Sequence, residues 1–307
     1  VGGIFMSVTI FRQSKAFRRT GSLVHSAVAL AFLVVPMVMF GYFLFAFASS
    51  TVSAANESFA NNKLADRKVR SQHGVLFDEG VISLTFDDGW KSVATNAAPI
   101  MGEYRMVSTQ YIITDSIGSS GYMSLGQLKA LKTAGHEIGS HSAGHLALAD
   151  EDDDSLDYEF ASSKARLEKL GLIKKGESVD FAYPYGSKSA RTNTIGAKTY
   201  ISLRGAASGL NDGVDAHDIN TADSFSRTNN FIGMTIDRDT ELSQIKDAIR
   251  YAKEHKGWLV INFHQIDDED TEFSVSPENF RTILLAIQDA NIKTITVKDA
   301  LASIGKV

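Results

Sequence analysis

From about residue 76 onward, short apolar runs alternate with amphipathic stretches. The runs at 81–86 (VISLTF), 107–113 (VSTQYII), 136–140 (HEIGS), 179–184 (VDFAYP), 200–204 (YISLR), 258–264 (WLVINFH) and 292–297 (IKTITV) are strand candidates by length and apolar content. Between them lie helices with legible ends. Ser124 and Gln127 form a capping box, and Gly135 follows the last turn of that segment. Leu156, Phe160, Leu167 and Leu170 share one helical face, closed by Gly171. Leu242, Ile245, Ile249 and Ala252 share another, closed by Gly257, and Ser276 with Pro277 makes an N-cap and first helical position. Regular alternation of strand and helix predicts parallel strands wrapped by helices, and about seven such units predict an α/β fold of the (β/α) barrel kind rather than an open sheet. In that architecture chemistry gathers at the C-terminal ends of the strands.

The first 75 residues break this pattern. Residues 1–22 form a basic tail, in which Arg12, Lys15, Arg18 and Arg19 are the only charges before Glu57. Leu23–Phe47 is almost wholly apolar and longer than the ~20 residues that cross a bilayer as a helix. Residues 23–48 therefore predict one N-terminal transmembrane helix, with the basic tail in the cytoplasm and everything after Ser49 outside it at the cell membrane. A cleaved signal peptide, which would leave the body secreted, is the competing expectation, with small residues at 46–48 (AFA) and 53–55 (SAA). Residues 49–75 are polar and aperiodic, a linker, and 76–307 is the globular domain.

Composition narrows the chemistry. Of 307 residues 44% are apolar and 22% charged, enough for a sizeable core. The net charge of -5 hides a positive tail and a distinctly acidic remainder, so no nucleic acid is expected as partner of the main body. There is no cysteine, and any metal site must use His, Asp or Glu.

Two segments carry candidate ligands. In SLTFDDGW, residues 83–90, Asp87 and Asp88 stand side by side where an apolar run stops. In GHEIGSHSAGH, residues 135–145, His141 and His145 are four apart, and both imidazoles lie on one face if the segment after the strand is helical. Two His and one carboxylate describe a catalytic metal site with an open position for water; structural histidines and solvated aspartates are the plainer alternatives. If one Asp binds a divalent cation, its neighbour can stay ionised beside the ion and take a proton from water. FAYPYG (181–186) and WLVINFHQI (258–266) end two further strands, and His264 suits proton donation near neutrality.

Together TFDDG, HSAGH, a Pro-Tyr loop and a late strand ending in His resemble the NodB-homology polysaccharide deacetylases, carbohydrate esterase family four, from about Gly74 to Ile304. The resemblance implies a distorted (β/α) barrel that removes acetyl groups from N-acetylglucosamine-containing polysaccharide with a divalent metal, Zn2+ ahead of Co2+, Ni2+ or Mn2+. It implies Asp87 as catalytic base, Asp88, His141 and His145 as metal ligands, Tyr185, after Pro184, as backbone donor to the oxyanion, and His264 as catalytic acid. The chain also departs from the family. Ala182 stands where an Arg often orients the catalytic Asp, which makes Arg204 and Arg227 candidate replacements. Asn262 stands where a Leu often packs on the acetyl methyl. Trp258 and Trp90 are candidate walls of a sugar groove, with plain core as the alternative. An O-acetyl ester deacetylase of the acetyl xylan type and a non-catalytic carbohydrate-binding relic are the competing functions. The run DEDDD (150–154) is expected to sit at a helix N-terminus, where acids oppose the macrodipole, rather than to bind calcium.

Overall fold

A computed structural model of the chain describes residue 77 and residues 79–207, 219–220 and 230–304. The basic tail, the apolar segment 23–48, the linker and Arg227 lie outside them. Among the described residues no helix is long and apolar enough to cross a membrane.

Seven parallel strands close on themselves: β1 (Val81–Phe86), β2 (Ser108–Ile112), β3 (Glu137–Ser140), β4 (Asp180–Ala182), β5 (Ser202–Ala207), β6 (Asn230–Thr235) and β7 (Trp258–Phe263). Each pairs with the next, and β1 pairs with β7 along its whole length, Val81 opposite Trp258 through Phe86 opposite Phe263. β8 (Gln265–Ile266) and β9 (Ser274–Val275) form a small separate pair. The last strand, β10 (Lys293–Thr294), lies beside Val81 and Ile82, while β2 pairs with β1 only from Leu84 on. The barrel is thus wedged open at its N-terminal end. The helices in chain order are α1 (Ala98–Tyr104), α2 (Leu125–Thr133), α3 (Asp153–Lys169), α4 (Ala190–Gly196), α5 (Leu242–Glu254), α6 (Pro277–Asp289) and α7 (Val297–Ser303).

Strand alternation divides each strand between two buried faces. Ile82, Leu84 and Phe86 share a core with Leu259, Ile261 and Phe263 and with Ile245 and Ile249 of α5 and Phe280, Leu284 and Ile287 of α6. Truncating a ring such as Phe280 in that layer costs about 3–5 kcal/mol. The alternate residues face the barrel lumen and are largely polar: Thr85 Oγ1 donates to Asn262 Oδ1 at 3.0 Å and Thr109 Oγ1 to Glu137 Oε2 at 2.7 Å. Phe77, Phe231, Trp258, Val297 and Leu301 plug the N-terminal end.

The predicted helix ends at Ser124, Gly135, Gly171 and Ser276 stand where the structure ends or caps its helices. Asp152 caps α3 by accepting from the Ser155 amide, and Asp153 and Asp154 occupy its first turn, so the acidic run sits at a helix start. Three expectations change. Residues 292–297 supply only two strand residues, because Thr296 accepts from the Asp299 amide and starts α7. The seventh barrel strand is instead Asn230–Thr235, which the apolar pattern did not single out. After α5 the left-handed residue is Lys256 (φ 51°); Gly257 serves close packing, since a Cβ there would lie 2.4 Å from Ile219 Cγ2.

Low in the lumen, Asp180 is fully buried and accepts from Ser202 Oγ. Burial, reinforced by the neighbouring Glu137 carboxylate, pushes its pKa well above the usual carboxylate range. The folded state therefore holds a proton that the unfolded chain releases, and this contribution, full below 3.8, is lost as pH rises through the folded value. Asp180→Asn is expected to flatten that decline. Thermal unfolding from pH 5 to 9 checks it, and parallel Tm profiles for the two proteins would refute the assignment.

Candidate active site

Asp87 follows β1 and is held there by its amide, which donates to Phe263 O at 2.9 Å. Simple alternation would send Asp88 to the opposite face. Its left-handed backbone (φ 70°), followed by Gly89 (φ 86°), turns it back, so that both carboxylates face the same imidazole. His141 Nε2 lies 3.4 Å from Asp88 Oδ1 and 3.9 Å from Asp87 Oδ2.

His141 follows β3, its amide bonded to Ile112 O and its Nδ1 2.9 Å from Ala182 O. A carbonyl only accepts, so Nδ1 carries the proton and Nε2 is left to face Asp88. The segment from His141 to Ala147 is a loop and not the helix that the four-residue spacing suggested. Ser142 and His145 both adopt left-handed conformations (φ 67° each). The loop's amides are satisfied from within and below: Ser142 Oγ accepts from His145 N, and the buried Glu159 of α3 accepts from Ala143 N and Gly144 N at 3.0 and 2.8 Å. This fold-back brings His145 Nε2 to 3.2 Å from Asp88 Oδ1, while its Nδ1 meets Tyr185 Oη at 3.1 Å.

Ligand atoms of Asp88, His141 and His145 all lie within 4.8 Å of one another. Among the described residues, Asp88 Oδ1 is buried and accepts no hydrogen bond. Two ligand atoms each ~2.1 Å from one tetrahedral ion lie about 3.4 Å apart, so the observed 3.2 and 3.4 Å separations fit a shared small divalent cation. Burial opposes ionisation of Asp88, but the facing imidazoles outweigh it and hold the carboxyl far below its usual range. His141 answers in kind: burial would lower its pKa, yet Asp87 and Asp88 raise it above the ordinary imidazole value. The pocket demands positive charge, from protons or from a metal ion.

Asp87 has a different partner. Arg204, only 1% exposed, donates from Nη2 to Oδ1 at 2.6 Å and to Oδ2 at 2.5 Å. It stands on β5 directly opposite Ala182 of β4. Its guanidinium lies over the Tyr111 ring, 5.1 Å from the centroid, and against Gly233, where a Cβ would meet Nη1 at 3.1 Å. Asn262 donates to Asp87 Oδ2 at 3.1 Å and is itself positioned by Thr85. Burial works to raise the Asp87 pKa; Arg204, then His141 and His264, overcome it, and the carboxyl stays below its usual range.

Other expected residues fall in three places. His264 follows β7, its Nδ1 buried without a partner among the described residues and its ring against Phe273; burial pushes its pKa down against the pull of Asp87 and Asp88. Pro184 is buried at the start of the turn Pro184–Gly186, and Tyr185 (φ 58°) is 73% exposed beside His145. Trp258 is corrected from groove wall to core: it is fully buried as the first residue of β7, at the far end of the barrel, and donates to Ser83 Oγ. Trp90 does reach the site. Its Nε1 donates to Asp88 Oδ2 at 2.8 Å, a contact signalled in the sequence only by its place two residues after that aspartate. Glu159 was not anticipated, since nothing in its own helix pattern marks it as an acceptor for the histidine loop.

A profile of the family described as Polysaccharide deacetylase matches residues 75–202. YxkH of Bacillus subtilis (strain 168), provisionally named a polysaccharide deacetylase, is 28% identical over 121 residues, 39% of this chain and 42% of that protein. Peptidoglycan-N-acetylglucosamine deacetylase of Bacillus cereus is 28% identical over 93 residues, 30% of this chain and 42% of that protein. The match thus spans less than half the length of these curated relatives. The Xyl-CE4 domain of a multidomain xylanase from the hindgut metagenome of Trinervitermes trinervoides superposes with a TM-score of 0.51 at 16% identity, over 74% of this chain and 92% of that one, a likeness of fold.

Removing Arg204 leaves a buried carboxylate without its counter-charge. Arg204→Ala is expected to cost about 3–5 kcal/mol of stability, and Asp87→Asn in the same chain to restore much of that loss. Denaturant unfolding of the single and double variants in chelator measures this; equal destabilisation of both would show that the two side chains are not an ion pair.

Proposed function

We propose that this chain, whose residues 75–202 match the polysaccharide deacetylase family, is a metal-dependent hydrolase that removes acetyl groups from N-acetylglucosamine-containing polysaccharide and releases acetate. The observation that carries this reading is the convergence of Asp88, His141 and His145 beside a separately paired Asp87 at the C-terminal mouth of the barrel. Asp88, His141 and His145 would hold the ion, zinc first and cobalt, nickel or manganese as alternatives. The ion would supply a Lewis acid for the acyl carbonyl and make water more acidic.

The chain's own groups do the rest. Asp87, kept ionised by Arg204 and oriented by Asn262, accepts the proton of the attacking water. Negative charge then develops on the acyl oxygen, where the Tyr185 backbone N–H donates; one such donor is typically worth ~3 kcal/mol in the transition state. An amine cannot leave as its anion, so a proton must reach nitrogen from the other side. His264 would supply it, and burial makes it a stronger acid than a free imidazole once protonated. The extracytoplasmic placement expected from residues 23–48 suits a polymer of the cell envelope.

Acetate release from N-acetylglucosamine polymers and from acetyl xylan, with and without chelator, tests the reading. Zinc or cobalt is expected to restore activity after chelation. Asp88→Ala and His141→Ala should lose both metal and turnover, whereas Asp87→Asn should keep the metal and lose about 10²–10⁴-fold in rate. Activity on acetyl xylan alone would favour the ester reading. Full activity after thorough metal removal would refute the mechanism.

A further inference from the structure

Trp90 occupies a position that the chemistry above leaves unexplained. It is half-buried, and its indole N–H, a donor with no acceptor capacity, points at Asp88 Oδ2 from 2.8 Å. The other oxygen, Oδ1, faces both imidazoles. The two oxygens of one carboxylate are therefore assigned to different tasks. We propose that Trp90 is a positioning residue that restricts Asp88 to one-oxygen coordination, and so keeps places on the ion free for water and the acyl oxygen; this rests on the metal-centred reading above. An unrestrained carboxylate can turn both oxygens toward a cation and occupy an additional place.

The indole is itself held firmly. It stacks on Tyr122 with ring centroids 4.8 Å apart and planes 16° from parallel, and residues 90 and 122 form an antiparallel bridge. Lys91 N donates to Gly121 O and Met123 N to Gly89 O, each at 2.8 Å, so backbone bonds flank the stacked pair. The same loop reaches the histidine segment: Thr114 N donates to Ser142 O at 3.2 Å and Asp115 N to Ala143 O at 3.1 Å. One loop thus braces both the carboxylate's donor and the imidazoles' backbone. A rotation of the Trp90 indole would have to break the stacking on Tyr122, and the backbone bridge fixes the two residues from which the rings project.

The test is cobalt affinity of the purified full chain by chelator competition, with the visible spectrum of the cobalt-loaded protein and circular dichroism as a check on folding. Trp90→Phe keeps an aromatic ring for Tyr122 to stack on and removes the N–H donor. It is expected to bind cobalt about 10–100-fold more weakly, with visible bands that lose intensity as coordination number rises. Tyr122→Leu keeps the N–H but removes its support, and is expected to shift both readouts in the same direction by less; it carries the test if Trp90→Phe does not fold. Wild-type affinity and spectrum in a folded Trp90→Phe, or in Tyr122→Leu where that variant carries the test, overturn the inference while the metal-centred reading stands. Failure of the unaltered chain to retain cobalt overturns that reading itself.

Discussion

Two neighbouring carboxylates, both largely buried, can stay ionised only if each has its own source of positive charge. The site is organised around that constraint. Asp87 is held by the guanidinium of Arg204, whereas Asp88 faces the His141 and His145 imidazoles, whose protons or a shared cation would supply its positive charge. The left-handed turn at Asp88 brings the two side chains to one mouth, and the distinct partners keep them in different roles. An ionised but ligand-free carboxylate beside a metal-binding one is what water activation requires.

Arg204 reaches Asp87 from β5, across the sheet from Ala182 of β4. Ala182 and Arg204 are cross-strand partners, so inward side chains from either position approach the lumen at the same height. A guanidinium on β5 needs space beside it. Ala182, small on one neighbour, and Gly233, lacking a Cβ on the other, leave room for it, and Tyr111 offers a ring face beneath the charge. In the polar lumen Thr85 donates to Asn262, Thr109 to Glu137 and Ser202 to Asp180.

What the sequence made legible, and what it hid, follows from range. Strand ends could be located from where apolar runs stop, and candidate site residues lie there: Asp87 after β1, His141 after β3, His264 after β7. The non-helical histidine loop could not be read, because its shape depends on Glu159 from a different element. β6 escaped notice because FIGMT is short and interrupted by glycine, and that glycine is required by Arg204, remote in sequence. For Trp258 the sequence leaves groove wall and core both open, because an aromatic within a strand looks alike at either end; as the first residue of β7 it belongs to the floor, six positions before His264. Alternation along β1 was legible, but the polarity of its inward set became meaningful only once the barrel closed.

X-ray absorption at the zinc edge of the metal-loaded full chain tests the central claim most directly. The account predicts one zinc bound by two imidazoles and a carboxylate oxygen, with ligand distances of about 2.0–2.2 Å and further light-atom scattering from water. A spectrum without the outer-shell scattering of two histidines would contradict it.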